Sequence, residues 1–276
     1  MRRETYWEKA LEQTNISINK NGLYPLETKV VTSEFYDKND FIIRKLDTSK
    51  FKKIINYGPK QNPFSPWDKI LEIDKIGNNH QLILNKYPVQ KGHILLITNS
   101  WQPQNGWLDI NDWIAIQKVN IDTSGLWFFN SSPIAGASQP HRHIQLLRRS
   151  YGQVSCPREK WFLNLDISND NENKLKKSIV VSPFSFLEDS SYIYNLYLEL
   201  TKKIGLGDPI NDEKPRYPYN ILITNNWIAI IRRSYDHLHG FSVNGLGFAG
   251  YLLITDNSDI NYLKKYGPEK LLENFV

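Results

Sequence analysis

At 276 residues with 40% hydrophobic side chains, the chain can bury one large core or two modest ones, which excludes a disordered or fibrous class. A single cysteine, Cys156, excludes an internal disulfide framework. No apolar run approaches the roughly 18 residues of a membrane helix, and "MRRETYWEKALEQ" carries no apolar signal core, so a cytoplasmic protein is expected. The net charge of +5 comes from Lys and Arg spread along the chain, with short clusters such as "KFKK" at 50–53. That fits a solvated surface first, and also permits a funnel for nucleotides or nucleic acid; charge alone does not choose.

Residues 5–15 read as a short amphipathic helix and "DFIIRKL" (40–46) as a strand. "GPKQNPFSPWD" (58–68) holds Pro59, Pro63 and Pro66 and reads as an ordered loop. "KILEIDKI" and "HQLILNKY" (80–87) alternate apolar and polar residues, predicting two half-buried strands that turn at Asn78-Asn79. "GHILLIT" (92–98) is a further strand, and residues 108–119 suit a helix capped by Asp109 or Asn111. Strands over 125–131 and 141–149 flank the small-residue loop "SPIAGASQP", forming a hairpin. Residues 166–177 are polar and read as an exposed loop. The pattern over 189–205 predicts a helix that Gly205 ends, and 219–233 a hairpin turning at Asn225-Asn226. A glycine-rich loop then runs into a strand (240–255), before a closing helix (258–275) broken at Gly267-Pro268. Antiparallel strand pairs with helices between the groups predict an α+β fold. No linker separates two free domains, so a single domain over 1–276 is expected, its N-terminal part being 1–165 and its C-terminal part 178–276.

The chemistry concentrates in "GASQPHRHIQLL" (136–147). On a strand, His141, His143 and Gln145 share one face, while Ile144 and Leu146 point to the other, into a core. Gly136 and the residues after it can turn backbone N–H groups toward an anion, and Ser138 adds a hydroxyl. A neutral imidazole can attack phosphorus to form a phosphoramidate if its other nitrogen keeps its proton against a backbone carbonyl. Gln145 can donate a hydrogen bond to a phosphoryl oxygen as charge spreads over it. Taken alone, His-x-His is more often an ordinary strand pattern than a site, and it is also a zinc-ligand spacing. "HLHG" (237–240) is a second instance, but nothing in the sequence brings the two together, and no metal site is assigned. His93 reads as structural, and His80, at a turn, as solvated.

The string "FFNSSPIAGASQPHRHIQLL" resembles the histidine triad superfamily signature His-φ-His-φ-His-φ-φ, with Gln145 in place of the third histidine and Arg142 in place of the first apolar residue. The Gln form is similar to the transferase branch, which includes galactose-1-phosphate uridylyltransferase and the diadenosine tetraphosphate phosphorylases, or ATP adenylyltransferases. "NPFSPWDKILEI" (62–73), "LILNKYPVQKGHILLIT" (82–98) and "FSVNGLGFAGYLLIT" (241–255) resemble further phosphorylase segments in the same order.

The resemblance implies a histidine-triad-like antiparallel sheet, a half-barrel flanked by helices as in the uridylyltransferase. It implies a nucleotidyltransferase that cleaves diadenosine tetraphosphate with inorganic phosphate through an adenylyl-histidine. His143 matches the nucleophile, His141 its orienting neighbour and Gln145 the phosphate-contacting glutamine. Gly136, Ala137, Ser138 and Gln139 match the phosphate-binding turn, and Asn130 an asparagine near the nucleotide. Asn85 and Lys86 match a ribose-contacting pair, Asn244, Gly245 and Leu246 a C-terminal substrate segment, and Lys53 a polyphosphate contact chosen from Lys50, Lys52 and Lys53. Tyr251 and Thr255 stand where the family tends to have methionine and a later lysine. No permanently bound cofactor is expected; Mg²⁺ would enter with the nucleotide. The expected partners are a small-molecule nucleotide and inorganic phosphate, with no membrane, and nucleic acid is disfavoured. A sugar-1-phosphate nucleotidyltransferase would be set apart by use of UDP-glucose. A dinucleoside polyphosphate hydrolase would act without phosphate, and a non-catalytic nucleotide- or RNA-binding protein would not need His143.

Overall fold

The computed structural model describes residues 3–32, 40–47, 62–148, 154–165 and 173–276. The elements run α1 (Thr5–Asn19), β1 (Thr28–Val30), β2 (Ile42–Leu46), β3 (Glu72–Ile76), β4 (His80–Leu84), β5 (Ile94–Thr98), α2 (Ile110–Asp122), β6 (Leu126–Asn130) and β7 (His143–Leu147). They continue as α3 (Glu159–Leu163), α4 (Lys174–Lys177), β8 (Ile179–Pro183), α5 (Ser190–Lys203), β9 (Tyr219–Ile223), β10 (Trp227–Arg232), β11 (His237–Leu238), β12 (Phe241–Ser242), α6 (Gly245–Phe248), β13 (Tyr251–Ile254) and α7 (Ile260–Glu273). Eight strands form one sheet in the order β3-β4-β5-β7-β6-β9-β10-β8, every neighbouring pair antiparallel. The α+β expectation therefore holds, and the β6–β9 pairing carries the sheet from the N-terminal part into the C-terminal part.

Alternation sorts the side chains into two layers. Trp127 and Phe129 of β6, Ile144 and Leu146 of β7, and Ile221 and Ile223 of β9 join one core with Ala10 of α1, Trp113, Ile116 and Val119 of α2, and Ile193, Tyr197 and Leu200 of α5. Burying each large apolar side chain contributes about 1.5–3 kcal/mol, so this face fixes both sheet register and helix placement. Leu126 and Phe128, Leu222, and Ala229 and Ile231 belong to the opposite core with Ile43, Leu252 and Ile254 from a small sheet (β1-β2-β13) and Leu263, Leu271 and Leu272 of α7. That second layer packs on the β6-β9-β10-β8 side, while β4, β5 and β7 floor a groove.

Local signals explain the helix ends. Asp109 caps α2 in a capping box with Asp112, and Asp189 caps α5 by accepting from the Ser191 and Tyr192 amides. Gly267, at φ 80°, and Pro268 kink α7 as the sequence predicts. Other expectations change. α1 runs four residues past position 15, and "KIL" at 69–71 is a 3₁₀ turn ahead of β3. The pair β2–β13 is parallel, which a reading based on hairpins does not anticipate. Of the predicted loop 166–177, positions 173–177 are described: Asn173 caps α4, and Leu175 is buried, so that part is packed rather than exposed. β7 begins at His143, not at 141, because Pro140 interrupts the ladder and His141 makes only an isolated bridge to Pro103.

Candidate active site

His143, Gln145 and Leu147 of β7 face a cavity of about 1710 Å³, whose lining also includes Asn85, His93, Asn130, Ser138 and Leu246. His143 is 3% exposed and its Nδ1 donates to the His141 carbonyl at 2.8 Å. The ring proton is thus held on Nδ1, which leaves Nε2 with a lone pair. Burial lowers the His143 pKa from 6.5 to about 4, against the opposing pull of that carbonyl, so the ring is neutral near pH 7.

His141 does not stand beside His143 on the cavity wall. It is fully buried, with Nε2 2.9 Å from the Thr98 carbonyl and Nδ1 2.9 Å from Asn62 Oδ1. Both ring nitrogens are engaged, so the ring is fixed as a prop, and burial lowers its pKa as well. The expected row of three groups therefore reduces to His143 and Gln145. Position 141 reaches the site through its carbonyl.

Two residues that the sequence does not place beside the histidines complete the setting. Gln104 lies between β6 and β7 where their ladder stops at Phe128↔Gln145. Its Oε1 accepts from the His143 amide at 2.8 Å, and its Nε2 donates to the carbonyls of Asn130 (2.6 Å) and His143 (3.2 Å). This side chain replaces a rung of the sheet and satisfies backbone groups that would otherwise be buried unpaired. Phe64 packs against both rings, 5.3 Å from His143 and 5.8 Å from His141 between centroids. Its "NPF" segment is visible in the sequence, but its proximity to the histidines is not.

Behind β7, Arg142 Nη1 donates to Asp112 Oδ2 at 2.9 Å, and Asp112 Oδ1 lies 2.8 Å from His80 Nε2. All three are buried. His80 is therefore not solvated: Asp112, drawn in by its capping role, supplies the partner that lets an imidazole leave water.

The turn before β7 departs from expectation in one respect. A 3₁₀ turn over Pro133–Ala135 leads to Gly136 at φ 88°. The Gly136 amide donates to Pro133 O and the Ala137 amide to Ser132 O, so neither is free for an anion. The Ser138 and Gln139 amides have no acceptor among the described residues, and both residues line the cavity. The anion-facing donors thus begin two residues later than predicted, because the 3₁₀ turn consumes the first two. Gly136 serves by close approach: a Cβ there would lie 2.5 Å from Asn244 Cβ. Asn130 Oδ1 accepts from Asn220 Nδ2 (2.8 Å) and the Gly245 amide (3.0 Å), tying this wall to α6. Asn244 and Leu246 line the cavity, whereas Ala137 and Gly245 support it from behind.

Asn85 and Lys86 also line the cavity, Lys86 lying 3.6 Å from Asp68. Lys53, Lys50 and Lys52 lie outside the described residues. Among the described residues, Arg44, Lys86 and Lys91 are the cations on the lining and Asp68 is the one carboxylate, a balance that suits a polyanion. Tyr251 lines the cavity with its hydroxyl donating to Val154 O, while Thr255 does not reach it. No cluster of three metal-ligating side chains exists among the described residues, and none of their helices is long and apolar enough to cross a membrane.

Comparison with known proteins places the chain in a family. The diadenosine 5',5'''-P1,P4-tetraphosphate phosphorylase 2 of Saccharomyces cerevisiae is 25% identical over 232 residues, 74% of this chain and 71% of that protein. The same organism's protein APA1 is 25% identical over 202 residues, covering 66% and 63%. The crystal structure of yeast Ap4A phosphorylase Apa2 with Ap4A superposes with a TM-score of 0.74 at 19% identity, over 100% of this chain and 97% of that one. Its AMP complex gives 0.73 at 21% identity, over 99% and 98%. The family model for the Ap4A phosphorylase N-terminal domain matches residues 1–159, and that for the ATP adenylyltransferase C-terminal domain matches residues 157–276. The chain belongs to the Ap4A phosphorylase and ATP adenylyltransferase family.

Proposed function

We propose that this protein cleaves diadenosine tetraphosphate with inorganic phosphate to ATP and ADP, through an adenylyl group carried on His143. The observation that carries the reading is the His143 ring: Nδ1–H is held by the His141 carbonyl, and the ring is buried, neutral and set on the cavity wall beside Gln145. His143 Nε2 attacks the α-phosphorus, the bond to the bridging oxygen of the β-phosphate breaks, and ATP leaves. The ring then bears phosphorus on one nitrogen and a proton on the other and is cationic, so the His141 carbonyl binds it more strongly than the neutral ring. A phosphate oxygen next attacks the same phosphorus, the N–P bond breaks, neutral His143 is restored and ADP leaves.

Gln145 donates to the phosphoryl oxygens, which an amide does without exchanging protons with water. The Ser138 and Gln139 amides with the Ser138 hydroxyl hold the adjacent phosphates, and Asn130, Asn244 and Leu246 shape that wall. Asn85 and Lys86 meet the ribose end, and the family resemblance assigns a polyphosphate contact to Lys53, which lies outside the described residues. Mg²⁺, where it takes part, arrives on the polyphosphate as part of the substrate. The two sequence parts act as one catalytic unit, because the β6–β9 pairing and the Asn130–Gly245 contact join them at the cavity.

The test is incubation with diadenosine tetraphosphate with and without phosphate. ATP plus ADP, formed only with phosphate, is expected. ATP plus AMP in phosphate-free buffer marks a hydrolase, and turnover of UDP-glucose marks a sugar-phosphate transferase. His143→Ala abolishes turnover on this reading, and an active variant sinks it.

A further inference from the structure

His93, just ahead of β5, is a buried polar side chain whose hydrogen bonding is incomplete. It is 7% exposed, packs 5.8 Å from the Phe128 ring and lines the cavity. Its Nδ1 lies 3.3 Å from Asn85 Nδ2. The orientation of that carboxamide is settled by its other end, since Asn85 Oδ1 accepts from the Tyr87 amide at 3.0 Å. Nδ2 is therefore the donor, His93 Nδ1 must be the acceptor, and the ring proton resides on Nε2. Nε2 is buried and has no partner at hydrogen-bonding geometry among the described residues. Leaving such a donor unpaired costs about 1–3 kcal/mol, and a buried orphan calls for an explanation at a functional site. Gln145 pairs with Leu95 across the β5–β7 ladder, and His93, two residues before Leu95, faces the same cavity, so the Gln145 carboxamide neighbours this ring, as does His143. An amide facing an N–H turns its oxygen toward it, which directs its NH₂ the other way.

We propose that Asn85 and His93 are positioning residues, a relay running Tyr87 N–H to Asn85 to His93 to Gln145 that makes Gln145 present its NH₂, not its oxygen, to the transferred phosphoryl group. The relay rests on the reading that Gln145 faces that group. It gives Asn85 a function apart from any ribose contact, and it gives His93 one where the sequence suggests only a structural histidine. The contact from Nε2 closes when a phosphoryl oxygen draws the Gln145 NH₂, as hydrogen bonds in active sites tighten with substrate in place. Reversing the carboxamide would set an oxygen lone pair against an anionic oxygen and remove one stabilising donor.

Two measurements test this. Imidazole nitrogen NMR of the full chain, labelled on histidine, should show His93 as the neutral Nε2–H tautomer at neutral pH; an Nδ1–H tautomer overturns the relay. A double-mutant cycle should show His93→Leu lowering kcat by at least about tenfold, as loss of an orienting partner typically does, with KM little changed. Gln145→Leu should lower kcat further, and the double variant should be no slower than Gln145→Leu alone. His93→Gln, which keeps a donor at the Nε2 position, should recover most of the loss. Multiplying losses, or no recovery with Gln, overturn the proposal. If His93→Leu does not fold, the tautomer decides. Wild-type protein that leaves diadenosine tetraphosphate intact contradicts the reaction while the tautomer still stands on its own.

Discussion

At the scale of single residues, position 143 lies on the cavity-facing side of its strand, as alternation predicts, and gains a quantity the pattern cannot supply. A histidine with an ordinary pKa would be partly protonated near pH 6.5, yet burial brings His143 to about 4. On the proposed mechanism the nucleophile is the unprotonated ring, so activity is retained as pH falls through 6.5 and is lost only as pH approaches 4. The kcat/KM profile should therefore lack an acid limb near 6.5, and a limb centred there contradicts this environment. Gln104 gives a second prediction. Gln104→Leu leaves the His143 amide and the Asn130 carbonyl without their side-chain partner, at about 1–3 kcal/mol for each buried group left unpaired. Thermal unfolding should show that loss, and kcat should fall more than KM rises, because the His143 backbone is no longer fixed. A variant with wild-type stability and kcat contradicts the clasp. The sequence makes His143 and Gln145 legible because strand alternation and spacing are local. Gln104, Phe64 and Asn62 are not legible, because their contacts with the histidines depend on how loops distant in sequence pack.

At the scale of elements, the turn before β7 is the instructive case. Small residues and Gly136 mark it as an anion-binding loop, but which amides are free depends on whether the chain first closes a 3₁₀ turn, and that is a hydrogen-bond question residue types do not answer. Gly136→Ala forces a side chain into a left-handed backbone and toward Asn244, so it should destabilise the protein by about 1 kcal/mol or more and raise KM for the polyphosphate substrate. Unchanged KM and melting temperature contradict the close approach. The hairpins and helices that carry clear alternation and caps, such as β9–β10 and α5, match the sequence within a few residues. The parallel β2–β13 pair has no such signature, since its two strands lie about 200 residues apart and only the closed fold joins them.

At the scale of the whole molecule, one sheet carries two cores, and the part of its face left by the second core becomes the cavity floor. Sequence periodicity gives the α+β class, but not which half of which face stays open. The open floor buries two imidazoles, His93 and His143, each lowered to about 4 chiefly by burial. Their folded pKa values lie below the unfolded value of 6.5, so from pH 6.5 to 4 the unfolded chain binds protons that the folded chain refuses. Stability should therefore fall with pH across that window, by on the order of several kcal/mol at most. His143→Gln should flatten part of the slope in denaturant titrations, and an identical slope contradicts the assignment. The central claim, that His143 carries the adenylyl group, is tested most directly by trapping. Diadenosine tetraphosphate is mixed with protein in the absence of phosphate and quenched in alkali, where a phosphoramidate survives, and the peptides are then read by mass spectrometry. The account predicts AMP on His143, discharged to ADP when phosphate is added before the quench; AMP on another residue, or turnover with phosphate but no adduct, contradicts it.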